Sequence, residues 1–345
     1  MRQLAILLLL NVALNVQGQQ IFEAYKQDAN NYLEHYAFPL FEGMVFNSAD
    51  GWVHRAKTLK TFHVALQVNA DYASVPSRFQ NFAYRSSEYQ YLQVLDQSDN
   101  PMPDGTLLPT VLGPRTNYKI NLKVPTSTPG TYYEVKFPAP PGLKENLDSL
   151  LQGFDPGVPG LSVQLAVGLP ANTQVMLRYF PKINYNGIRP DLLGVGVKHD
   201  VGQYLGLKSK IRIAAYAAYI HAGVRASRDT IDWEARYALN TITMGAIASV
   251  ELKIVSFYGG LAYIHGGSSL KIVGDKEITY NIIDNFGNVV GQQTETLHDP
   301  LNLHFGINNY KGFAGIRINL RILHIFAQYN LQKYPGLHAG IGFQI

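Results

Sequence analysis

The sequence predicts an all-β protein: a closed, antiparallel, up-and-down transmembrane β-barrel of about 12 strands, within a range of roughly 10–14, with a short N-terminal helical plug. Three observations lead to this fold class. Apolar and polar residues alternate with a period of two over much of the chain, the first 18 residues have the form of an export signal, and no later segment is an apolar run of about 18 residues.

The closing strand shows the alternation most clearly. Leu337, Ile341 and Phe343 are apolar, whereas the intervening His338 is polar, and the same pattern extends back through residues 313–331 as two further strands. A strand at the end of a sheet leaves an open edge unless it pairs with another strand. Pairing with the first strand removes that edge, so the sequence predicts a closed barrel.

Ten strands can be recognised directly from the alternation. They are residues 61–72, 161–168, 174–180, 193–200, 210–219, 243–252, 255–261, 313–319, 323–331 and 337–345. Residues 73–160 are punctuated by proline and glycine, and they are either further wall strands, which would raise the strand number, or a long loop or capping region.

The predicted domains are a signal peptide at residues 1–18, an N-terminal helical plug segment at 19–58 and an outer-membrane β-barrel at 59–345. The signal is indicated by Arg2, the apolar run that follows it and the small residues near position 18. The chain contains no cysteine, so no lipid can be attached to a cysteine after the signal and no disulfide can form outside the cytoplasm.

The predicted plug is a helix from Ile21 to Tyr36, which we expect Pro39 to end. Its apolar stripe recurs at steps of three and four residues and needs a packing partner, which in a barrel is the wall of the lumen. The plug residues expected to pack there are Phe22, Tyr25, Tyr32, Leu33 and Tyr36.

The connections between strands are expected to be short at one end of the barrel and long at the other, as in bacterial outer-membrane barrels. Charged residues fall on one face of the strands, and a charge facing lipid costs about 2–4 kcal/mol at mid-depth, so this face should line the lumen. The candidate lumen-lining residues are His63, Gln67, Asn69, Arg178, Lys198, Asp200, Arg212, Arg317 and Asn319.

The composition argues against several functions. Charged residues make up only 16% of the chain and the net charge is +4 without a basic run, so no nucleic-acid partner is expected. The scattered histidines have neither a nucleophile elbow nor the close spacing of metal ligands. We therefore expect no catalytic residues, no metal site, no cofactor and no enzymatic activity.

Two stretches carry a resemblance to known proteins. The sequence Leu-Pro-x-x-x-Gln-Val-x-Leu-Arg-Tyr-Phe-Pro-Lys at 169–182 and the sequence Gly-Val-Gly-Val-Lys-His-Asp at 194–200 resemble an outer-membrane family of the Bacteroidota that has no assigned function. That family is in turn similar to FadL-type channels for hydrophobic compounds. The resemblance implies an N-terminal segment inside the lumen and passage of apolar small molecules, and it transfers no functional residue.

The leading hypothesis is an outer-membrane channel or transporter for small hydrophobic or amphipathic compounds, exported through a cleaved signal peptide. Its partners would be membrane lipid and a small hydrophobic ligand. The alternative is a non-transporting barrel that serves as a structural or accessory subunit and binds another outer-membrane protein. A soluble secreted β-sandwich is a third hypothesis.

Overall fold

The computed structural model describes residues 19–126, 128–148, 155–184, 186–206, 210–227, 233–299 and 301–345. The predicted signal peptide, residues 1–18, lies outside these residues. The helices and strands follow in this order: α1 (Gln19–Ala49), β1 (Val64–Ser74), β2 (Asn81–Ala83), β3 (Leu92–Leu95), β4 (Leu107–Pro109), β5 (Lys119–Pro125), β6 (Thr131–Pro138), α2 (Lys144–Asp148), β7 (Gly157–Leu169), β8 (Thr173–Phe180), β9 (Ile188–Asp200), β10 (Ile211–Ser227), β11 (Trp233–Glu251), β12 (Val255–Asp284), β13 (Val289–His298), β14 (Leu301–Leu320), β15 (Leu323–Leu331) and β16 (Gly336–Gln344).

Ten of these strands close into an antiparallel barrel. The order around the ring is β1, β7, β8, β9, β10, β11, β12, β14, β15 and β16, and β16 pairs back onto β1 over Ala65–Ala73. The predicted closed, up-and-down barrel is confirmed. The ten strands are those recognised from the alternation, and the number falls at the lower end of the predicted range because the strands within 75–156 lie outside the ring.

Burial alternates along the wall strands as the sequence pattern predicts. In β1, Gln67 and Asn69 are buried, whereas their neighbours Leu66 and Val68 are 48% and 50% exposed. The outward positions are mostly apolar around the ring, whereas the inward positions are polar in strands such as β1 and apolar in strands such as β10, where Ala214, Tyr216 and Ile220 are buried. The outer surface is therefore a broad band of exposed aliphatic and aromatic side chains.

The two ends of the barrel differ in their connections. At one end, called here the short-turn end, β7–β8, β11–β12 and β14–β15 are joined by only a few residues, and β1 and β16 meet. At the other end, the long-loop end, the chain makes the insertion 75–156, and β12 and β13 extend beyond the ring as a hairpin around residues 284–289. The predicted asymmetry of connections holds for these segments, with two exceptions: residues 332–335 form a short connection at the long-loop end, and residues 201–210 form a longer one at the short-turn end.

The described part of the insertion, residues 75–126 and 128–148, forms a cap over the long-loop end. Its strands β3, β5 and β6 continue one sheet with the outer part of β12, through the pairing of Thr131–Glu134 with Asn281–Asp284. The carboxylate of Asp28 in α1 accepts hydrogen bonds of 2.6–3.0 Å from three successive backbone N–H groups of the cap, at Gln90, Tyr91 and Leu92. The cap is thus fixed both to the wall and to the N-terminal half of the helix.

Helix α1 is longer than predicted. It runs through Pro39 to Ala49, so the expectation that Pro39 ends it is wrong. Proline removes one backbone hydrogen bond from a helix interior, but packing on both sides of that position can hold the helix together. Tyr36 and Phe41, on either side of Pro39, are both buried. Within the described residues, no helix is long and apolar enough to cross a membrane.

The second half of α1 lies inside the barrel. The ring centroid of Phe41 is 4.9 Å from that of Tyr237 and 4.6 Å from that of Phe305, on the inner faces of β11 and β14. A Cβ atom on Gly266 of β12 would overlap the side chain of Val45, so the glycine allows the helix to approach the wall closely. After α1, residues 50–60, called here the lumen segment, continue through the barrel to the start of β1.

Candidate functional site: the occupied lumen and its cavity

The lumen segment begins with a turn that only glycine fits well. Gly51 has a φ of +67°, and a Cβ atom there would overlap the imidazole ring of His338. His338 is itself buried and its Nδ1 lies 2.7 Å from Oδ1 of Asp71. The chain therefore turns out of α1 directly against a buried histidine–aspartate hydrogen bond between the first and last wall strands.

A buried ion pair joins the end of α1 to the wall. The ammonium of Lys311 in β14 donates to the carbonyl oxygen of Ala49 at 2.7 Å and to Oδ1 of Asp50 at 2.8 Å. The side chains of Lys311 and Asp50 are 2% and 1% exposed, and Gln332 donates to the other carboxylate oxygen of Asp50 at 3.2 Å. Both charges are therefore removed from water and satisfied by each other and by neighbouring polar groups.

Arg178 of β8 is the largest fully buried side chain of the lumen. Its guanidinium donates to the carbonyl oxygen of Asp50 at 2.8 Å and to Oε1 of Gln164 at 3.0–3.1 Å. It also lies 4.2 Å from the ring of Trp52, a cation–π contact. Arg178 thus holds the first residues of the lumen segment rather than facing an open channel.

The indole of Trp52 packs on a surface made by glycines of β9. A Cβ atom on Gly194 or Gly196 would approach the Trp52 ring to within 2.9 or 3.1 Å, which is closer than side chains normally pack. The alternate positions of this strand face inward, so the two glycines form a flat recess for the ring. Its Nε1 donates to the carbonyl oxygen of Ser48 at 3.2 Å.

The rest of the lumen segment is held by hydrogen bonds to the wall. Lys198 donates to the carbonyl oxygens of Arg55 and Lys57 at 3.0 and 3.2 Å. Ser249 accepts from the backbone N–H of Ala56 at 3.0 Å. The inner face of the wall therefore binds the backbone of this segment along its length.

The predicted lumen-lining residues fall into three groups in the structure. Gln67, Asn69, Arg178, Lys198, Asp200 and Arg317 are buried on the inner side of the wall. Arg212 and Asn319 are half-buried near the short-turn end, where Arg212 lies 3.6 Å from Asp200 and Asn319 accepts from Arg317 at 2.7 Å. His63 is half-buried just before β1 begins.

The predicted plug residues lie nearer the long-loop end than expected, against the cap. Tyr32 and Tyr36 are buried, but their partners are in the cap: the Tyr32 ring is 5.6 Å from that of Phe82, and the Tyr36 hydroxyl donates to Pro141 at 3.0 Å. Leu33 is also fully buried. The side chains of Phe22 and Tyr25 lie outside the described part of the chain. The residues that contact the lumen wall were missed because Pro39 was interpreted as the end of the helix, although the apolar spacing continues beyond it.

A cavity of about 330 Å³ lies between the second half of α1 and the inner face of strands β7 to β11. Most of its wall is apolar. The residues that define it include Met44, Phe180, Ala222, Val224, Tyr237 and Leu239. Polar groups from Arg178, Asp71, Asn47 and Ser48 converge on it, so it combines apolar surface with a small number of polar contacts.

The cavity adjoins a notch in the wall above the short strand β8. The ladder between β7 and β8 begins at Val163–Tyr179 and that between β8 and β9 ends at Phe180–Leu192, although β7 and β9 both extend further toward the long-loop end. Pro181 follows the last residue of β8 and cannot donate to a ladder. The cavity lining includes Leu161, on the outward side of β7, so the notch connects the cavity with the outer surface.

Comparison with known proteins identifies the family. A model described as "Family of unknown function (DUF6588)" matches residues 1–345, and the chain belongs to this family. No curated protein matches it.

Among solved structures, the chain is similar to Ail, the attachment invasion locus protein of Yersinia pestis, at 8% identity and a TM-score of 0.26, over 83% of this chain and 99% of that one. It is also similar to the outer membrane transporter YddB from Escherichia coli, at 9% identity and a TM-score of 0.26, over 80% of this chain and 40% of that one. A third is the translocator domain of the autotransporter NalP from Neisseria meningitidis, at 9% identity and a TM-score of 0.23, over 93% of this chain and 99% of that one.

Proposed function

We propose that this member of the DUF6588 family is an outer-membrane channel that passes small hydrophobic or amphipathic compounds between the bilayer and its lumen through the notch above β8. The observation that carries the proposal is the cavity of about 330 Å³ between α1 and the wall, which adjoins that notch. A route through the side of the barrel lets an apolar molecule reach the lumen from lipid without crossing the water layer at the rim.

The outer surface supports a place in a membrane. Side chains such as Leu165, Val195 and Ile341 are 37–53% exposed on the outer face of three different strands, in a band that surrounds the ring. Soluble monomers rarely expose a continuous apolar surface of this extent, because its contact with water is unfavourable. Lipid removes this cost, and a closed barrel leaves no unpaired strand edge in the hydrocarbon. We propose that residues 1–18 direct the export that such a location requires.

The lining of the cavity supports the class of compound. Apolar side chains would cover the hydrocarbon part of a ligand, while the side-chain amide of Asn47 lies at the border of the cavity and would bind one polar end. Residues 169–182 resemble an outer-membrane family that is in turn similar to FadL-type channels, which agrees with this class, and the same segment contains β8, which bounds the notch. The proposal involves no chemical step and no cofactor.

The test is to fill the cavity by a substitution that leaves the hydrogen bonds between the lumen segment and the wall unchanged. Ala222→Trp places a large ring in the cavity, whereas the matched control Ala215→Trp lies on the exposed outer face of the same strand. Uptake of N-phenylnaphthylamine, an apolar dye that intact outer membranes exclude, is measured in cells carrying equal amounts of folded protein.

We expect the wild type and Ala215→Trp to increase dye uptake over cells without the protein, and Ala222→Trp to lower it by about tenfold if the tryptophan fills most of the site. Equal uptake by the two variants would contradict a route through this cavity. Absence of the protein from the membrane fraction would instead contradict the location.

A second candidate function is a structural or accessory barrel that transports nothing. It is favoured by the lumen segment, which is bound to the wall by buried groups including Lys311, Arg178 and Lys198. In that case the cap would bind a partner protein. Wild-type cells that take up the dye no faster than cells without the protein would favour this candidate.

A further inference from the structure

The outer wall carries a row of positive charges near the long-loop end. Arg225 of β10 pairs directly with Arg189 of β9 on one side and with Arg236 of β11 on the other, and Arg236 pairs directly with Lys271 of β12. All four side chains are exposed on the outer face. Because neighbouring strands are about 4.8 Å apart, the row spans roughly 14 Å.

Such a row is unfavourable unless anions neutralise it. Like charges directly opposite each other on neighbouring strands destabilise a sheet. Glu234 lies 3.1 Å from Arg189 and also pairs with Arg236, whereas no ion pair of Arg225 or Lys271 occurs within the described residues. The described row therefore retains an excess of positive charge.

The outer surface on the short-turn side of the row indicates where the row lies relative to the lipid bilayer. On β10 and β11, Tyr219 and His221 both bind the side-chain oxygen of Asn240, at 2.7 and 2.9 Å. On β12 and β14, Tyr263 and His265 bind Asn308 in the same way, at 2.8 and 2.7 Å. These groups lie on the outer face and form a belt of tyrosine, histidine and asparagine. Aromatic belts of this kind are found where a transmembrane barrel meets the head groups.

The row lies beyond this belt. Arg225 is four residues further along β10 than His221, a distance of about 13 Å along the strand. Charges at this height lie outside the hydrocarbon, at the level of lipid head groups. Arginine and lysine side chains pointing outward there are suited to phosphate, which arginine can bind through two parallel hydrogen bonds.

We propose that Arg189, Arg225, Arg236 and Lys271 form a binding site on the outer wall for the phosphorylated head group of a membrane glycolipid. The inference rests on the membrane location in the proposed function, but not on the cavity or on transport. The site would fix one face of the barrel, close to the notch, in contact with a bound lipid. β9, which carries Arg189, also forms one side of that notch.

The experiment compares binding of lipopolysaccharide, enzymatically dephosphorylated lipopolysaccharide and inorganic phosphate to purified protein in detergent. The test variant is Arg225→Gln, Arg236→Gln and Lys271→Gln together. The matched control makes the same change of charge at the short-turn end, with Lys60→Gln, Lys210→Gln and Lys253→Gln, all at exposed positions. Retained barrel structure is checked by circular dichroism.

We expect the test variant to bind lipopolysaccharide at least tenfold more weakly than the wild type and the control, and dephosphorylation to produce a similar loss. As a measurement that needs no variant, wild-type binding should weaken steeply with salt, since exposed charges are screened. Equal binding by the test variant and the control, or equal binding of the dephosphorylated lipid, would overturn the proposal. Displacement of the lipid by inorganic phosphate at similar concentration would also overturn it, because the site would then bind free anions.

Unaltered dye uptake in the test variant is compatible with the lipid site, since the row lies outside the cavity. Loss of lipid binding with normal uptake therefore separates this inference from the proposed transport.

Discussion

At the scale of single residues, Gly51 determines how the chain leaves α1. Its positive φ is costly for any residue with a side chain, and a Cβ atom would also overlap the ring of His338. Gly105 in the cap has a φ of +89° with nothing within 4 Å of an added Cβ. Alanine at Gly105 would therefore add backbone strain alone, whereas alanine at Gly51 would add both backbone strain and a steric overlap with His338.

We expect Gly51→Ala to destabilise the protein by about 2–4 kcal/mol and Gly105→Ala by only about 1 kcal/mol, since the second substitution adds strain without a clash. The measurement is the denaturant midpoint of each purified variant in detergent. If Gly51→Ala were no more destabilising than Gly105→Ala, the close contact between the turn and His338 would be wrong.

Individual wall residues show what a sequence can and cannot reveal about the lumen. The inward position of Arg178 follows from the period of two in β8, because that alternation fixes which side chains share a face. Its contact with Gln164 follows from the pairing of β7 with β8, but its contacts with the carbonyl oxygen of Asp50 and the ring of Trp52 could not be predicted, because they lie in the lumen segment. Asp50 and Lys311 are 261 residues apart in the sequence, and only the closed topology brings them together.

At the scale of elements, the wall strands and the N-terminal helix were predictable, but the C-terminal end of the helix was not. Alternation marks each wall strand independently of its neighbours, so all ten could be recognised. Pro39 suggested a helix end because a proline usually breaks a helix interior. Here the cap holds the helix before Pro39 and the wall holds it afterwards, and neither contact is visible in the local sequence. The insertion 75–156 was ambiguous for the same reason, because its short strands could equally have belonged to the wall.

At this scale, the ion pair between Asp50 of the lumen segment and Lys311 of β14 has the clearest energetic consequence. Lys311→Met leaves the carboxylate of Asp50 buried without its cation, which typically costs about 3–5 kcal/mol. Asp50→Asn leaves Lys311 with the carbonyl of Ala49 as an acceptor and should cost less. The double variant should cost less than the sum of the two, because neither charge is then buried alone.

Fluorescence can report on this segment directly. The chain has two tryptophans, so Trp233→Phe leaves Trp52 as the single probe, in contact with Arg178. In urea titrations, the fluorescence of Trp52 should change at a lower urea concentration in Lys311→Met than in the protein without this substitution. The control Lys119→Met removes a pair with Asp99 of nearly the same length, 2.7 Å, but at the cap surface, and should change the midpoint little. If the destabilisation of the Lys311→Met, Asp50→Asn double variant equalled the sum of the two single effects, Lys311 and Asp50 would not be directly coupled.

At the scale of the whole molecule, the barrel is closed by its own strands and is filled by a segment that is not part of the sheet. The ladder between β1 and β16 joins two wall strands directly, whereas the end of α1 and residues 50–60 are held by polar contacts with the wall. The molecule therefore consists of a closed wall and an inner part that is bound to it. A channel built in this way opens by movement of the inner part, and a structural barrel has no need of such movement.

An engineered disulfide distinguishes these two cases. Ser48 in α1 and Thr241 in β11 are joined by a hydrogen bond of 2.8 Å between their side-chain oxygens, so cysteines at these positions are close enough to form a disulfide. The natural chain contains no cysteine that could interfere, and Ser48 borders the cavity, from which a small reductant can reach it. The matched control joins Thr279 and Thr294, whose side-chain oxygens are also 2.8 Å apart, within the hairpin formed by β12 and β13.

If passage requires α1 to move, oxidation of the Ser48→Cys, Thr241→Cys variant should abolish the uptake of N-phenylnaphthylamine, and a reductant should restore it. Oxidation of the Thr279→Cys, Thr294→Cys control should leave uptake unchanged, because the bond lies outside the lumen. Full uptake through a barrel shown by mass spectrometry to be completely cross-linked would mean that the dye passes α1 without displacing it. The notch and the cavity would then be a permanent passage, and the buried ties of residues 50–60 would serve the stability of the barrel rather than its gating.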